Sequence, residues 1–221
     1  MQVLLFDVNE TLLNMQPLKQ RVNDLLQNQQ AFSVWFGMLL QYSLVDNCTG
    51  TYHDFQIIAN AVLSMAAHTF GVTITPEQKK ETLSVIKILP CHADVVEGLT
   101  LLKQAGYRLA VLTNSPTTTM HAQLEFAGIN GFFEKALSID AMQQYKPAAI
   151  TYQYAAEQLG VAREQVTMVA AHGWDVAGAM AAGLQAVFIA RKGQSVYTLA
   201  PKPTMVVSSV IELAEKLTQK M

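Results

Sequence analysis

Two textures alternate along the chain. Short apolar runs with β-branched content occupy residues 3–6, 108–113, 166–170, 185–190 and 204–207. Runs of this kind, lacking polar alternation, suit strands covered on both faces, as in a parallel sheet. Helical patterns lie between them. Val95, Leu99 and Leu102 form a stripe over 94–105, and Met120, Leu124 and Ala127 a second over 118–127. A third, over 148–159, carries Ile150, Tyr154, Ala155 and Leu159. Gly106, Gly128, Gly160 and Gly183 stand where such helices would close. Residues 192–203, with Gly193, Pro201 and Pro203, read as a surface loop before a last strand and helix. The alternation predicts βαβ units and an α/β fold with a doubly wound, mostly parallel sheet.

Residues 15–89 break this pattern. No convincing strand run appears, and four helical stretches are predicted near 17–28, 31–45, 53–71 and 76–87. Thr75-Pro76-Glu77-Gln78 reads as an N-cap followed by proline at the first helical position. The segment begins after the first strand and ends at Leu89-Pro90. It is predicted to be a helical cap inserted into a core made of 1–14 and 90–221, with both crossings near the first strand's carboxyl end.

Composition narrows the partners. A chain of 221 residues supports one sizeable core and a smaller lobe. The formal net charge is −2 and the basic residues are scattered, so a nucleic-acid partner is not expected. Cys48 and Cys91 are the two cysteines and read as reduced thiols. The apolar start, Val3-Leu4-Leu5-Phe6, is cut by Asp7 and reads as a strand rather than a signal peptide. No uncharged apolar run approaches membrane-spanning length. The expected location is the cytoplasm, with no membrane partner.

In an open α/β sheet, ligands bind beyond the carboxyl ends of the strands. The polar residues there are Asp7 through Thr11 after the first strand, Thr113-Asn114-Ser115 after the next, Lys146-Pro147 in a later loop, and His172-Gly173-Trp174-Asp175 after a further strand. A carboxylate held against a good electrophile is a competent nucleophile. Lys146 would keep Asp7 ionised and stabilise developing charge. Asp175 is available to activate or place water for hydrolysis of the resulting ester. Thr11, Thr113 and Asn114 are small donors able to orient a substrate. His172 reads as either a pocket-wall hydrogen bonder or a base. Trp35, Phe36, Met38, Leu39 and Tyr42 form a stripe read as cap core or a dimer face, with Phe36 the candidate to face the pocket. His53, His68, His92 and His121 show no metal-ligand spacing, and no metal site is expected.

These motifs, in this order, resemble the haloacid dehalogenase-like hydrolase superfamily over essentially the whole chain. Phe6-Asp7-Val8-Asn9-Glu10-Thr11-Leu12 looks like its first motif, Leu112-Thr113-Asn114-Ser115 its second, Lys146-Pro147 its third and Asp175 its fourth. The likeness is greatest to the type II 2-haloacid dehalogenases, which place a helical cap after the first motif. It implies a Rossmann-like core and a cofactor-free reaction. Asp7 would displace halide from C2 of a small L-2-haloacid, and the ester would be hydrolysed to the inverted 2-hydroxy acid. It also implies that Thr113 and the backbone near Val8 and Asn9 hold the substrate carboxylate. Asn114 would help receive halide, Tyr152 would line or brace the site, and a homodimer would form through the cap.

The chain departs from that pattern at three places. Phe36 follows Trp35 where the dehalogenases carry an arginine, a loss worth about 2–4 kcal/mol of transition-state stabilisation. Ala170 and His172 replace a serine and an asparagine ahead of Trp174-Asp175. Asn9 and Glu10 replace an aromatic residue and a glycine. Two other readings stand beside the dehalogenase: a phosphatase of the same superfamily using Mg²⁺, and a catalytically degenerate binding protein. Asn9 and Ala171 occupy positions where phosphatases place further aspartates, which leaves an octahedral Mg²⁺ short of oxygen ligands.

Overall fold

A computed structural model describes residues 3–219; residues 1–2 and 220–221 of the expected core fall outside it. Six strands form one parallel sheet: β1 (Val3–Phe6), β2 (Arg108–Thr113), β3 (Lys135–Ser138), β4 (Val166–Ala170), β5 (Gln185–Ile189) and β6 (Met205–Val207). Their order is β3-β2-β1-β4-β5-β6. Strand β1 sits mid-sheet, every residue of it buried, with Phe6 in register with Val111 of β2 and Val169 of β4. The direction of strand succession reverses between β1 and β4, which opens a crevice at their carboxyl ends.

Helices α1 (Gln16–Leu25), α2 (Ala31–Thr49), α3 (Phe55–Thr69) and α4 (Pro76–Ser84) lie between β1 and the next core helix, α5 (Val95–Gln104). A 3₁₀ turn, Val85–Ile88, extends α4. Capping follows the expected chemistry. Thr75 and Gln78 make a reciprocal capping box, and Asp54 accepts the Gln56 N–H at 2.7 Å. Trp35 donates its indole N–H to the Ala59 carbonyl at 3.0 Å, locking α2 to α3 inside this helical layer. The two crossings run side by side: Asn14 N–H donates to Pro90 O at 2.8 Å, and His92 N–H to Leu12 O at 2.9 Å.

Helices α6 (Thr117–Phe126), α7 (Ala149–Leu159), α8 (Gly173–Ala181) and α9 (Val210–Thr218) complete the described residues. Two expectations are corrected. Strand β3 was not predicted, because at the sheet edge it is short, with Lys135 exposed and Ala136 half-buried. The buried face of α7 is Thr151, Tyr152, Ala155, Ala156 and Leu159, and Ile150 is exposed. The helix is turned so that two polar side chains find partners inside: Thr151 bonds to Ala148 O, and Tyr152 to Asp175.

The close approach of α8 to the Lys146-Pro147 loop depends on Gly178. A Cβ there would meet Pro147 Cβ at 2.3 Å and Tyr152 Oη at 2.9 Å. Gly178→Ala is expected to cost about 1–3 kcal/mol by overpacking. It should also lower turnover by about 100-fold, because Lys146 is displaced with Pro147. Denaturant unfolding and steady-state assays check the two effects.

Candidate active site

Asp7 follows β1 directly, so the strand's carboxyl end aims it into the crevice between β1 and β4. Its N–H is tied to Val169 O at 3.0 Å. Lys146 reaches it from the loop before α7 and donates to Asp7 Oδ1 at 2.8 Å, Asp175 Oδ2 at 2.6 Å and Leu112 O at 3.0 Å. All three charged side chains are almost wholly buried. Thr11 donates to Asp7 Oδ2 at 2.7 Å while accepting from Ala171 N–H at 2.9 Å, so the hydroxyl is itself held in place.

Electrostatics follow from this packing. Burial raises the Asp7 pKa, but Lys146 and then His172 outweigh it and hold the carboxyl far below the usual carboxylate range. Burial opposes charge on Lys146, yet Asp175 and Asp7 raise its pKa above the ordinary lysine value. Asp175 is pushed up by burial, partly offset by Lys146 and reinforced by Asp7. Tyr152 is raised well above the usual phenol value by burial and Asp175, so it remains a donor, at 2.5 Å from Asp175 Oδ1. Both Asp175 oxygens are thus engaged, and the residue lies behind Lys146 rather than on the cavity wall.

His172 is the second cation. Its Nε2 lies 2.8 Å from Glu10 Oε2, and its Nδ1 lies 3.3 Å from Asp7 Oδ2 without hydrogen-bond alignment. Burial opposes its charge, but contacts to Asp7 and Glu10 raise its pKa to about 9. The ring stacks on Trp174, with centroids 5.2 Å apart and planes at 22°, and faces Phe36 at 6.1 Å.

The cavity between these groups measures about 20 Å³ and is lined by Asp7, Asn9, Phe36, Leu40, Phe55, Thr113, Asn114, Lys146, His172 and Trp174. The helical layer therefore closes the rim through Phe36, Leu40 and Phe55. A roomier cleft of about 330 Å³ adjoins it and shares Phe55.

Most residues singled out from sequence converge here. Thr11 bonds to Asp7 and Tyr152 to Asp175, and neither lines the cavity. Ser115 is buried behind it, accepting from Asn9 Nδ2 at 3.0 Å, and Val8 is buried with its carbonyl engaged by Leu12 and Leu13. Asn9's side chain is held at both its nitrogen and its oxygen, since Gln123 Nε2 donates to its Oδ1 at 2.9 Å. Asn114 accepts Lys146 N–H at 2.9 Å through Oδ1, and its amide hydrogens have no hydrogen-bond partner among the described residues. Sequence reasoning missed Leu40, Phe55, Gln123 and the side chain of Glu10. Among the described residues no group of three metal-ligating side chains occurs.

Fold and site together define a hydrolase of the α/β type: a carboxylate–lysine–carboxylate centre at the sheet's switch point, roofed by helices inserted after β1. The sequence profile of the haloacid dehalogenase-like hydrolases matches residues 1–183, and the chain belongs to that family. It is 30% identical over 191 residues to (S)-2-haloacid dehalogenase 1 of Pseudomonas sp. strain CBS-3, covering 86% of this chain and 83% of that one. A phosphoglycolate phosphatase of Colwellia psychrerythraea is 30% identical over 194 residues, covering 84% and 83% respectively. The structure of L-2-haloacid dehalogenase from Xanthobacter autotrophicus superposes with a TM-score of 0.91 at 23% identity, over 100% of this chain and 99% of that one.

Proposed function

We propose that the protein is a 2-haloacid dehalogenase-like hydrolase that converts a small 2-haloacid to the 2-hydroxy acid, with Asp7 as the nucleophile. The observation that carries this reading is the ionised, buried Asp7 carboxylate, gripped by Lys146 at 2.8 Å and Thr11 at 2.7 Å on the cavity wall. An Asp7 oxygen attacks C2, the carbon–halogen bond breaks and its electron pair leaves as halide. Lys146 keeps the attacking group charged, and the small cavity leaves little room for water that would blunt it. The backbone N–H groups of Val8 and Asn9 make no hydrogen bond among the described residues and, with Thr113, suit a substrate carboxylate. Asn114's amide and the indole N–H of Trp174, which is buried without a partner, suit the departing halide in place of the missing arginine.

Residues 15–89 act as the cap in this reading. A cavity of about 20 Å³ has room for little more than one water, so the cap has to swing from the rim to admit substrate. The donor set does not fit Mg²⁺: an ammonium already occupies the space between Asp7 and Asp175, at 2.8 and 2.6 Å. Tyr42, Leu44 and Val45, exposed on α2, support a homodimer through the cap. Among the described residues no helix is long and apolar enough to cross a membrane. Free Cys48 and Cys91 fit a cytoplasmic location.

The test is a turnover screen of L-2-chloro- and L-2-bromopropionate, haloacetates and p-nitrophenyl phosphate, with and without Mg²⁺. Stoichiometric halide release with 2-hydroxy acid, independent of Mg²⁺, is expected. Mg²⁺-dependent phosphate release with no dehalogenation would establish the phosphatase reading instead, and no turnover or Asp7 adduct at all would establish a binding protein.

A further inference from the structure

We propose that Glu10 and His172 form a base dyad that activates the water hydrolysing the Asp7 ester. The inference rests on Asp7 being the nucleophile. Geometry excludes Asp175 from the water-activating role assigned to it from sequence. Its two oxygens are taken by Lys146 and Tyr152, and it has no exposure to the cavity. His172 meets every requirement that Asp175 fails. It lines the cavity, and its Nδ1 is buried without a hydrogen bond, 3.3 Å from the Asp7 carboxylate. Its other nitrogen is held by Glu10 at 2.8 Å, which fixes the ring's orientation. The arrangement is a nucleophile, a base and an orienting carboxylate within contact distance.

Glu10 is built for that position. Its backbone adopts φ 61°, a left-handed conformation uncommon for a residue with a side chain. Its carbonyl oxygen lies 3.1 Å from His92 Nε2, and its carboxylate accepts from Gln194 Nε2 at 3.0 Å. Glu10 also lines an outer polar cleft of about 580 Å³ with Lys19, Arg191 and Gln194, so the dyad connects the closed site to solvent.

The charges facing His172 are those of Asp7 and Glu10, with Lys146 on the same cavity wall. While Asp7 is a carboxylate, His172 is held as an imidazolium between two acids and cannot act as a base. Ester formation neutralises Asp7 and removes one of those acids. The Nδ1 proton is then lost on the cavity side and leaves with the halide, while Glu10 keeps the Nε2 proton on the ring. Water bonds through oxygen to Asp7 Cγ and gives a proton to Nδ1. The bond from Cγ to the substrate oxygen breaks, and the new hydroxyl's proton passes to the leaving alkoxide. The 2-hydroxy acid leaves, Asp7 is again a carboxylate, and His172 is again an imidazolium. The base thus appears only in the step that needs it.

Rapid-quench kinetics with L-2-chloropropionate, reading chloride release and the mass of the Asp7 peptide, tests this. His172→Gln, which keeps a donor toward Glu10 but carries no base, should release about one chloride per site and then slow by at least 100-fold, with a carboxyethyl adduct on Asp7. Glu10→Gln, a near-isosteric change, should accumulate the same adduct with about a tenfold slower hydrolysis. Ester hydrolysis in the wild type should rise with pH as His172 loses its proton, and should be flat in His172→Gln. An adduct that His172→Gln clears at the wild-type rate overturns the dyad alone. So does an equal loss of ester formation and hydrolysis in Glu10→Gln. No Asp7 adduct in any variant overturns the nucleophile assignment, and the dyad with it.

Discussion

Asp7→Asn is expected to lower kcat by about 10⁵-fold or more while the protein stays folded. The amide matches the carboxylate in shape but has neither its charge nor its nucleophilicity, so the carbon–halogen bond has no attacking group. Folding should survive because the neighbours retain partners: Lys146 keeps Asp175 at 2.6 Å, and His172 keeps Glu10 at 2.8 Å. Halide electrode assays on purified enzyme, beside circular dichroism and denaturant unfolding, separate the two. A variant that keeps more than a few per cent of wild-type halide release contradicts the assignment.

Lys146→Met carries the second large effect, and here stability falls with activity. The substitution leaves Asp7 and Asp175 buried without the ammonium between them. Removing one member of a buried ion pair costs about 3–5 kcal/mol. The cheapest relief is a proton on one carboxyl. Asp7 keeps His172 nearby, but the ammonium is the largest influence holding its carboxyl low, so the nucleophile is in part neutralised. A fall in kcat of about 10³-fold is expected, together with an apparent pKa on the acid limb of the pH–rate profile shifted upward. Lys146→Arg should rescue little, since a planar guanidinium does not fit where a tetrahedral ammonium meets Asp7, Asp175 and Leu112 O.

The parts of the fold that depend on local pattern were legible in the sequence. Strands β1, β2, β4 and β5 are buried on both faces beyond the first residues of β2 and β5, and read as mainly apolar runs. The Thr75 capping box is written in four consecutive residues. Asp7, Lys146 and Asp175 were found because Asp7 follows a strand, Lys146 sits in the loop before α7 and Asp175 opens the helix after β4, all at one rim of the sheet. Strand β3 escaped because an edge strand needs no apolar run. The α7 register was misjudged because the buried Tyr152 and Thr151 are polar: Thr151 bonds to Ala148 O within its own turn, and Tyr152 is explained only by Asp175, 23 residues away. Glu10 looks like any solvated loop acid in sequence. Its pairing with His172, 162 positions distant, exists only once β1 and β4 lie side by side. Leu40, Phe55 and Gln123 likewise come to the site from helices whose docking no local signal encodes. His92, which carries no motif in sequence, places its Nε2 3.1 Å from the Glu10 carbonyl oxygen.

The covalent ester at Asp7 is most directly tested by one turnover of L-2-chloropropionate with excess enzyme in water enriched in heavy oxygen. Mass spectrometry of the product and of the Asp7 peptide locates the label. Heavy oxygen in the Asp7 carboxylate and ordinary oxygen in the 2-hydroxy acid is the predicted result. Label in the product hydroxyl with none in Asp7 would mean that water attacks the substrate directly, and would contradict the account.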